Sequence, residues 1–238
     1  RLFQAGVKLC MEMMVAPDGR FLAQIPQLGI VRRVSGSPAT FTPLPSPPTV
    51  LVAVGAELHR DVIRPAAECF ALLNNLKDAQ RGIHLRTHLL LRATPERIRT
   101  AVRTFRPQVV HLICHGQVDD QTRRGSLTLV SDQAAGSTVD AFSETLFDIL
   151  ECDGTLPSIV VLSACYTAAA SLSDVGQIAM PLAQELGARI PLVVGMSGAI
   201  TDQACRLFAR RFYESLLSDG AVAQASALAK EENLDSTP

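Results

Sequence analysis

Short runs of apolar residues alternate along the chain with longer segments in which apolar residues recur every three or four positions. The runs are rich in β-branched residues and are bounded by proline, glycine or small polar residues. This pattern is typical of parallel strands that are buried on both faces. It predicts strands at Val50–Val54, Val109–Cys114, Ile159–Leu162 and Leu192–Met196, with Ile83–Leu91 as a further strand.

The segments between these strands have the spacing of amphipathic helices. In one of them Thr94 suits the N-cap and Pro95 the first helical position, and the predicted apolar face contains Ile98, Ala101, Val102 and Phe105. Ser143 is predicted to cap another helix, in which Leu146, Phe147 and Leu150 face inward. Further helices are predicted at Val62–Leu76, Asp174–Leu186, Thr201–Ser218 and Ala221–Lys230.

This order of elements predicts an α/β fold with a mostly parallel central sheet and helices on both faces. One segment departs from the pattern. Ser126–Val130 alternates between polar and apolar residues, which predicts a short antiparallel edge strand after a polar loop.

The first 34 residues are too few to bury much of a core by themselves. Pro17-Asp18-Gly19-Arg20 predicts a hairpin turn, and five of the fourteen residues in Ser35–Pro48 are proline, as expected of a stiff connection. We predict that residues 1–49 belong to the same domain as residues 50–238; the alternative is a domain boundary in the proline-rich stretch. Since the chain begins at Arg1, we expect a fragment of a longer protein.

Composition narrows the functional classes. A hydrophobic fraction of 47% and a net charge of −1 indicate a globular domain, with no direct nucleic-acid binding and no membrane association. The six cysteines have no CxxC spacing, which is typical of reduced thiols in a cytoplasmic protein. A glycine-rich phosphate-binding motif is missing, so the sequence does not predict a nucleotide site.

Two of the predicted strands end in residues that can act together. Val109–Cys114 leads into His115-Gly116, and Ile159–Leu162 leads into Ser163-Ala164-Cys165. Because chemistry in parallel sheets is concentrated at the carboxyl ends of strands, we expect the imidazole and the thiol to lie at one edge. They form a candidate base and nucleophile, and a glycine after the histidine leaves room for a substrate backbone. The alternatives are a structural thiol and a loop histidine.

Five segments follow one another along the chain: HLICHG, GSLTLV, VLSACYTA, GARIPLVVGM and TDQACRLFARRFYESLL. In this order they resemble the CHAT domain, a caspase-like cysteine peptidase family. The His–Cys separation of fifty residues also matches the caspase spacing.

The resemblance implies a three-layer α/β/α sandwich of the caspase type. It implies that His115 is the general base and Cys165 the nucleophile, and that the amides of Gly116 and Cys165 form the oxyanion hole. Tyr166 is bulkier than the small or acidic residue usual after the nucleophile. Basic-specific relatives have an acid at the position of Ser163, which leaves Asp202 as the nearby acid for a basic P1 side chain. Ser163, Tyr166 and Asp202 are therefore candidate substrate-binding residues.

The resemblance also implies a protein substrate, no cofactor, and regulatory or sensor domains in the same chain or complex. Bacterial antiviral defence is one such setting. Two alternatives are a non-catalytic caspase-fold interaction module and a flavodoxin-like regulatory domain. The second would need an acidic cluster at the strand ends, which the sequence lacks.

Two smaller features have ordinary explanations. His84, His88 and Cys69 could approach one another, but their spacing does not predict a metal site. Arg123-Arg124 lies near His115 and is predicted to be a solvated loop, with self-cleavage as the alternative.

Overall fold

A computed structural model describes residues 15–17, 19, 34, 44–45, 47–56, 70, 74, 86–119, 121–122, 124–133, 136–165, 167, 181–196 and 202–218. The chain divides into two compact units. One comprises Arg33–Phe70 and Gln80–Asp202, and the other comprises Arg1–Arg32, Ala71–Ala79 and Gln203–Pro238.

The described part of the chain contains strands and helices in alternation, as the sequence predicts. In chain order they are β1 (Thr49–Val54), β2 (Arg86–Leu91), α1 (Pro95–Phe105), β3 (Val109–Ile113), β4 (His115–Val118), β5 (Gly125–Val130), β6 (Thr138–Ala141), α2 (Ser143–Leu150), β7 (Ile159–Ser163), α3 (Leu182–Leu186), β8 (Leu192–Val194) and α4 (Asp202–Ser218).

Five strands form a parallel sheet in the order β2-β1-β3-β7-β8. Strands β1, β3 and β7 lie in its interior and are buried along their whole length. Burial on both faces explains why the sequences of these strands are continuously apolar, since neither face is exposed to water. The predicted α/β class with a mostly parallel sheet is confirmed, and the arrangement is consistent with a caspase-like fold.

A second sheet has three antiparallel strands in the order β4-β5-β6. The sequence predicts a loop where β4 lies, which is wrong, and an antiparallel edge strand where β5 lies, which is right about the antiparallel strand and wrong about its edge position. Strand β5 is antiparallel, but it is the middle strand and is almost entirely buried. Strands β4 and β6 are short and mostly polar or exposed, so they have no apolar periodicity that reveals them.

Helix α1 begins as its sequence predicts. The Thr94 side chain accepts a hydrogen bond from the Arg97 amide at 3.3 Å, and Pro95 is the first helical residue. Ile98, Ala101 and Val102 are buried. Phe105 does not join them: it is 39% exposed and its ring stacks on that of His88. It lies in the last turn, beyond the part of the helix that the core covers.

Helix α2 starts one residue away from its predicted cap. Phe142 is the N-cap, and its side chain makes no capping hydrogen bond. Ser143 is the first helical residue, and its hydroxyl accepts a hydrogen bond from the Arg124 guanidinium at 2.9 Å. Leu146, Ile149 and Leu150 are buried. Phe147 is only half-buried, and the Arg189 guanidinium lies 4.6 Å above its ring.

A single apolar cluster joins both sheets and the three helices α1, α2 and α3. Its members from the antiparallel sheet are Leu127, Leu129 and Ala141. The antiparallel sheet is therefore part of the same core as the parallel sheet.

The remaining predictions fall partly outside the described residues. Helix α3 ends before Gly187, as expected, but its predicted start at Asp174 lies outside them. Strand β8 is three residues long and half-buried. Helix α4 has its predicted limits, and Phe208, Phe212 and Leu216 are buried. The predicted helices Val62–Leu76 and Ala221–Lys230 cannot be compared along their length.

A turn near the start of the chain lies where the sequence predicts one. The Gly19 amide donates to the Ala16 carbonyl at 2.9 Å with Gly19 at φ +86°, in line with the predicted turn. The assignment of residues 1–49 to the same domain as the rest stays a prediction. Within the described ranges, no helix combines the length and apolar character needed to cross a bilayer.

Candidate active site

The carboxyl ends of β3 and β7 lie side by side. Ile113 is the register partner of Ser163, and the Cys114 amide donates to the Ser163 carbonyl at 3.3 Å. His115 and Cys165 come next in the two segments that follow these strands, and both residues are half-buried. The structure thus brings together at one sheet edge the two segments that the sequence singled out.

Gly116 is in close contact with the backbone of the predicted nucleophile. A Cβ atom at this position would overlap the carbonyl oxygen of Cys165 and would lie 3.2 Å from the Cβ of Ala164. The sequence suggested that this glycine leaves room for a substrate. In the structure the carbonyl of Cys165 occupies that space, so any side chain here would displace one of the two segments.

The orientation of the Gly116 amide follows from the β4–β5 ladder. The Asp119 amide donates to the Arg124 carbonyl at 2.9 Å, which makes these residues a hydrogen-bonded pair. Such pairs alternate with non-bonded pairs in an antiparallel ladder. The register Gly116↔Leu127 falls on a non-bonded position. The N–H of Gly116 therefore points away from β5.

The turn that joins β4 to β5 is closed by a side chain. The Asp119 carboxylate accepts hydrogen bonds from the amide and the hydroxyl of Thr122 and from the amide of Gln121, and these donors hold the pKa of the carboxyl below its usual value. The hairpin that begins with His115 is thus closed at its far end.

A buried polar pair lies beneath the site and was not foreseen. His111 Nε2 and Ser163 Oγ are hydrogen-bonded at 2.9 Å, with His111 at 0% and Ser163 at 4% exposure. The only sequence signal is a histidine within an apolar strand, two and four residues before Ile113 and His115. Ser163 was a candidate substrate-binding residue, and its hydroxyl is here engaged with His111.

Thr167 is the second residue that the sequence did not single out. It is 2% exposed, and its hydroxyl bonds to the Ala164 carbonyl at 3.1 Å and to the Met196 amide at 2.9 Å. Its own carbonyl accepts from the Ala183 amide at 2.9 Å. These contacts close the turn that contains Cys165.

The other two candidate substrate-binding residues cannot be placed in the site. Tyr166 lies outside the described residues. Asp202 is the first residue of α4, but its side chain also lies outside them. The roles of Ser163, Tyr166 and Asp202 in substrate binding therefore stay predictions.

Arg124 connects three elements next to the site. Its guanidinium forms ion pairs with Glu144 and Glu185, each at 2.8 Å, and lies 5.5 Å from the Phe142 ring. The two carboxylates raise the pKa of Arg124, and Arg124 lowers that of Glu144. The predicted solvated loop is wrong for Arg124, whose side chain is 34% exposed and bonded to two carboxylates. Arg123 lies outside the described residues.

The residues considered for a metal site give no support for one. His88 stacks on Phe105, and His84 and Cys69 lie outside the described residues. Across the described ranges, no three His, Cys, Asp or Glu side chains are grouped as metal ligands.

Comparison with known families gives one match. The family model of the CHAT domain, a caspase-like cysteine peptidase-related family, matches residues 7–237. The matched region includes His115, Gly116 and Cys165, and it confirms the resemblance seen in the five sequence segments. Comparison with curated proteins finds no match.

Proposed function

Because the chain belongs to the CHAT domain family, we propose that it is a caspase-like cysteine endopeptidase domain. Cys165 is its nucleophile and His115 its general base. The observation that carries the proposal is the close approach of Gly116 to the backbone of Cys165. It joins the segment with the imidazole to the segment with the thiol.

The proposed reaction follows the chemistry of acyl transfer to a thiol. His115 takes the proton of the Cys165 thiol, and the sulfur attacks the carbonyl carbon of the scissile peptide. The oxyanion that forms is stabilised by the amides of Gly116 and Cys165. The C–N bond then breaks, and the imidazolium gives its proton to the leaving amine. Water hydrolyses the thioester with His115 again as base, which regenerates the thiol.

Three residues are candidates for selecting the P1 side chain of the substrate. Ser163 carries no charge and its hydroxyl bonds to His111, so it supplies no carboxylate for a basic P1 side chain. Asp202 and Tyr166 are the remaining candidates for contacts with the substrate. A library of peptides that varies the P1 residue would identify the preferred side chain.

We extend the proposal to the setting of the domain. In the cytoplasm it acts on a protein substrate, and regulatory or sensor domains in the same chain or complex switch it on. An effector role in bacterial antiviral defence fits this arrangement. The domain itself contacts neither nucleic acid nor membrane.

The test is covalent labelling of the protein by a peptidyl acyloxymethyl ketone. We expect labelling at Cys165, its loss in Cys165→Ala, and a fall of at least about 1,000-fold in labelling rate in His115→Ala. Cys152→Ala is the matched control, because Cys152 is also a half-buried thiol but lies in the turn that precedes β7, whereas Cys165 follows the carboxyl end of that strand. Mass spectrometry locates the label.

The outcome also separates the two functional classes. Labelling of Cys165 at the same rate in His115→Ala contradicts the dyad. A folded protein with no labelling, even with its regulatory partners present, points instead to a non-catalytic interaction module.

A further inference from the structure

Thr167 lies two residues after the proposed nucleophile and bonds to three separate elements. Its hydroxyl contacts the carbonyl of Ala164, just after β7, and the amide of Met196, just after β8. Its carbonyl accepts from Ala183 in the first turn of α3.

The direction of both hydroxyl bonds is fixed by chemistry. A backbone carbonyl can only accept and a backbone amide can only donate. The Thr167 hydroxyl therefore donates a hydrogen bond to the Ala164 carbonyl and accepts one from the Met196 amide. Both bonds are buried, so neither is replaced by water without a penalty. Threonine and serine can make this pair of bonds with one uncharged hydroxyl.

The bonds enclose Cys165 between fixed points. Ala164 precedes Cys165 and Thr167 follows it by two residues, and the hydroxyl joins the two ends of this turn. The same turn places the Cys165 carbonyl against Gly116. A change in the turn therefore alters the position of the thiol relative to the segment with His115.

Helix α3 connects the turn to the His115 hairpin by a second route. A Cβ at Gly125 would lie 2.9 Å from the Leu182 amide nitrogen, and Arg124 pairs with Glu185. Gly125 is the first residue of β5 and Arg124 immediately precedes it, and β5 pairs with the strand that begins at His115. The Thr167 carbonyl thus anchors a helix that is itself packed on the hairpin.

We propose that Thr167 is a positioning residue for Cys165, acting through its hydroxyl to hold the turn in the orientation that acylation requires. It is buried and does not touch the substrate. The proposal rests on the proposed endopeptidase function. It goes further in assigning the alignment of the thiol to one side chain anchored on β8.

The test compares Thr167→Val with Thr167→Ser. Valine has the shape of threonine without the hydroxyl, and serine keeps the hydroxyl without the methyl group. We expect Thr167→Val to lower kcat by about 10- to 100-fold at a nearly unchanged KM, because misalignment by a fraction of an ångström slows a covalent step. We expect Thr167→Ser to retain most of the wild-type kcat. Labelling by the peptidyl ketone should show the same order.

Thr104→Val is the matched control. Thr104 also donates its hydroxyl to a backbone carbonyl, that of Thr100 at 2.8 Å, but on the exposed face of α1. We expect its kcat to be that of the wild type. Thermal unfolding of every variant is measured in parallel, and Thr167→Ala serves as a second hydroxyl-free variant if the valine variant does not fold.

Three results overturn the proposal. The first is a wild-type kcat in a folded Thr167→Val or Thr167→Ala. The second is equal impairment of the serine and valine variants, which would assign the effect to the methyl group. The third is full activity in Cys165→Ala, which removes the proposed function and this inference together. Loss of activity in Cys165→Ala alone, without an effect at Thr167, removes only the inference.

Discussion

The two ends that form the candidate site are held in different ways. The segment with His115 continues directly into β4 and is held by a ladder of backbone bonds to β5. The segment with Cys165 leaves the sheet in a turn, and side-chain hydroxyls hold it: Thr167 across the turn and Ser163 to His111 beneath it. Backbone ladders form with almost any sequence, whereas a side-chain bond depends on one residue. The cysteine end should therefore be the more sensitive to substitution.

The largest expected effect comes from the point where the two ends meet. In Gly116→Ala the new methyl group overlaps the carbonyl of Cys165, and neither backbone can move without shifting the imidazole or the thiol. We expect kcat/KM to fall by at least about 100-fold. Gln117→Ala is the control, because Gln117 is the next residue on the same strand and is exposed. Comparable activity in the two variants would show that the two ends are not in fixed contact.

A medium effect is expected beneath the cysteine end. Ser163→Ala removes the partner of a fully buried imidazole nitrogen, which should lower the free energy of unfolding by about 1–3 kcal/mol in urea titrations. Ser126→Ala provides the control: Ser126 is equally buried, but among the described residues its hydroxyl has no hydrogen-bond partner. We expect that substitution to be neutral or stabilising. Equal destabilisation by both would attribute the loss to packing.

The smallest effect is expected at the histidine end. Arg124→Gln removes two partly exposed ion pairs, and we expect a loss of about 1 kcal/mol at pH 7 that shrinks at high salt. Arg210→Gln is the control, since Arg210 has a similar ion pair with Glu214 on α4. A loss as large as that of Ser163→Ala would show that side chains also govern this end.

The contribution of the Arg124–Glu144 ion pair to stability should also depend on pH. Arg124 lowers the pKa of Glu144 in the folded state below its usual 4.5, so the pair stabilises the protein above that pH. Its contribution is lost as the pH falls from 4.5 through the lower folded-state pKa. The difference in unfolding free energy between wild type and Arg124→Gln should therefore decrease on acidification.

The contrast between the two ends also explains what the sequence could predict. The buried strands, the cap at Thr94 and the limits of α4 depend on local patterns, and the structure has them where they were expected. The ends of two predicted strands, together with the five-segment resemblance, select His115 and Cys165 from five histidines and six cysteines. Strand β4 was missed because backbone pairing holds it, and four mostly polar residues carry no periodicity.

His111 and Thr167 could not be predicted for a different reason. Their roles depend on partners that are distant in sequence: Ser163 lies on the neighbouring strand, and Met196 lies 29 residues after Thr167. A hydroxyl and an imidazole have many possible partners in a chain of this length, and only the register of β3, β7 and β8 selects these. The reason for glycine at 116 is likewise visible only once the Cys165 carbonyl is in place.

The parallel and the antiparallel sheet follow each other closely in the chain. Strand β3 ends at Ile113 and β4 begins at His115, so Cys114 alone separates the parallel sheet from the antiparallel sheet. The imidazole thus belongs to one sheet, and the thiol follows a strand of the other. Because one residue joins the two sheets, a change in the angle between them would alter the distance between the His115 imidazole and the Cys165 thiol.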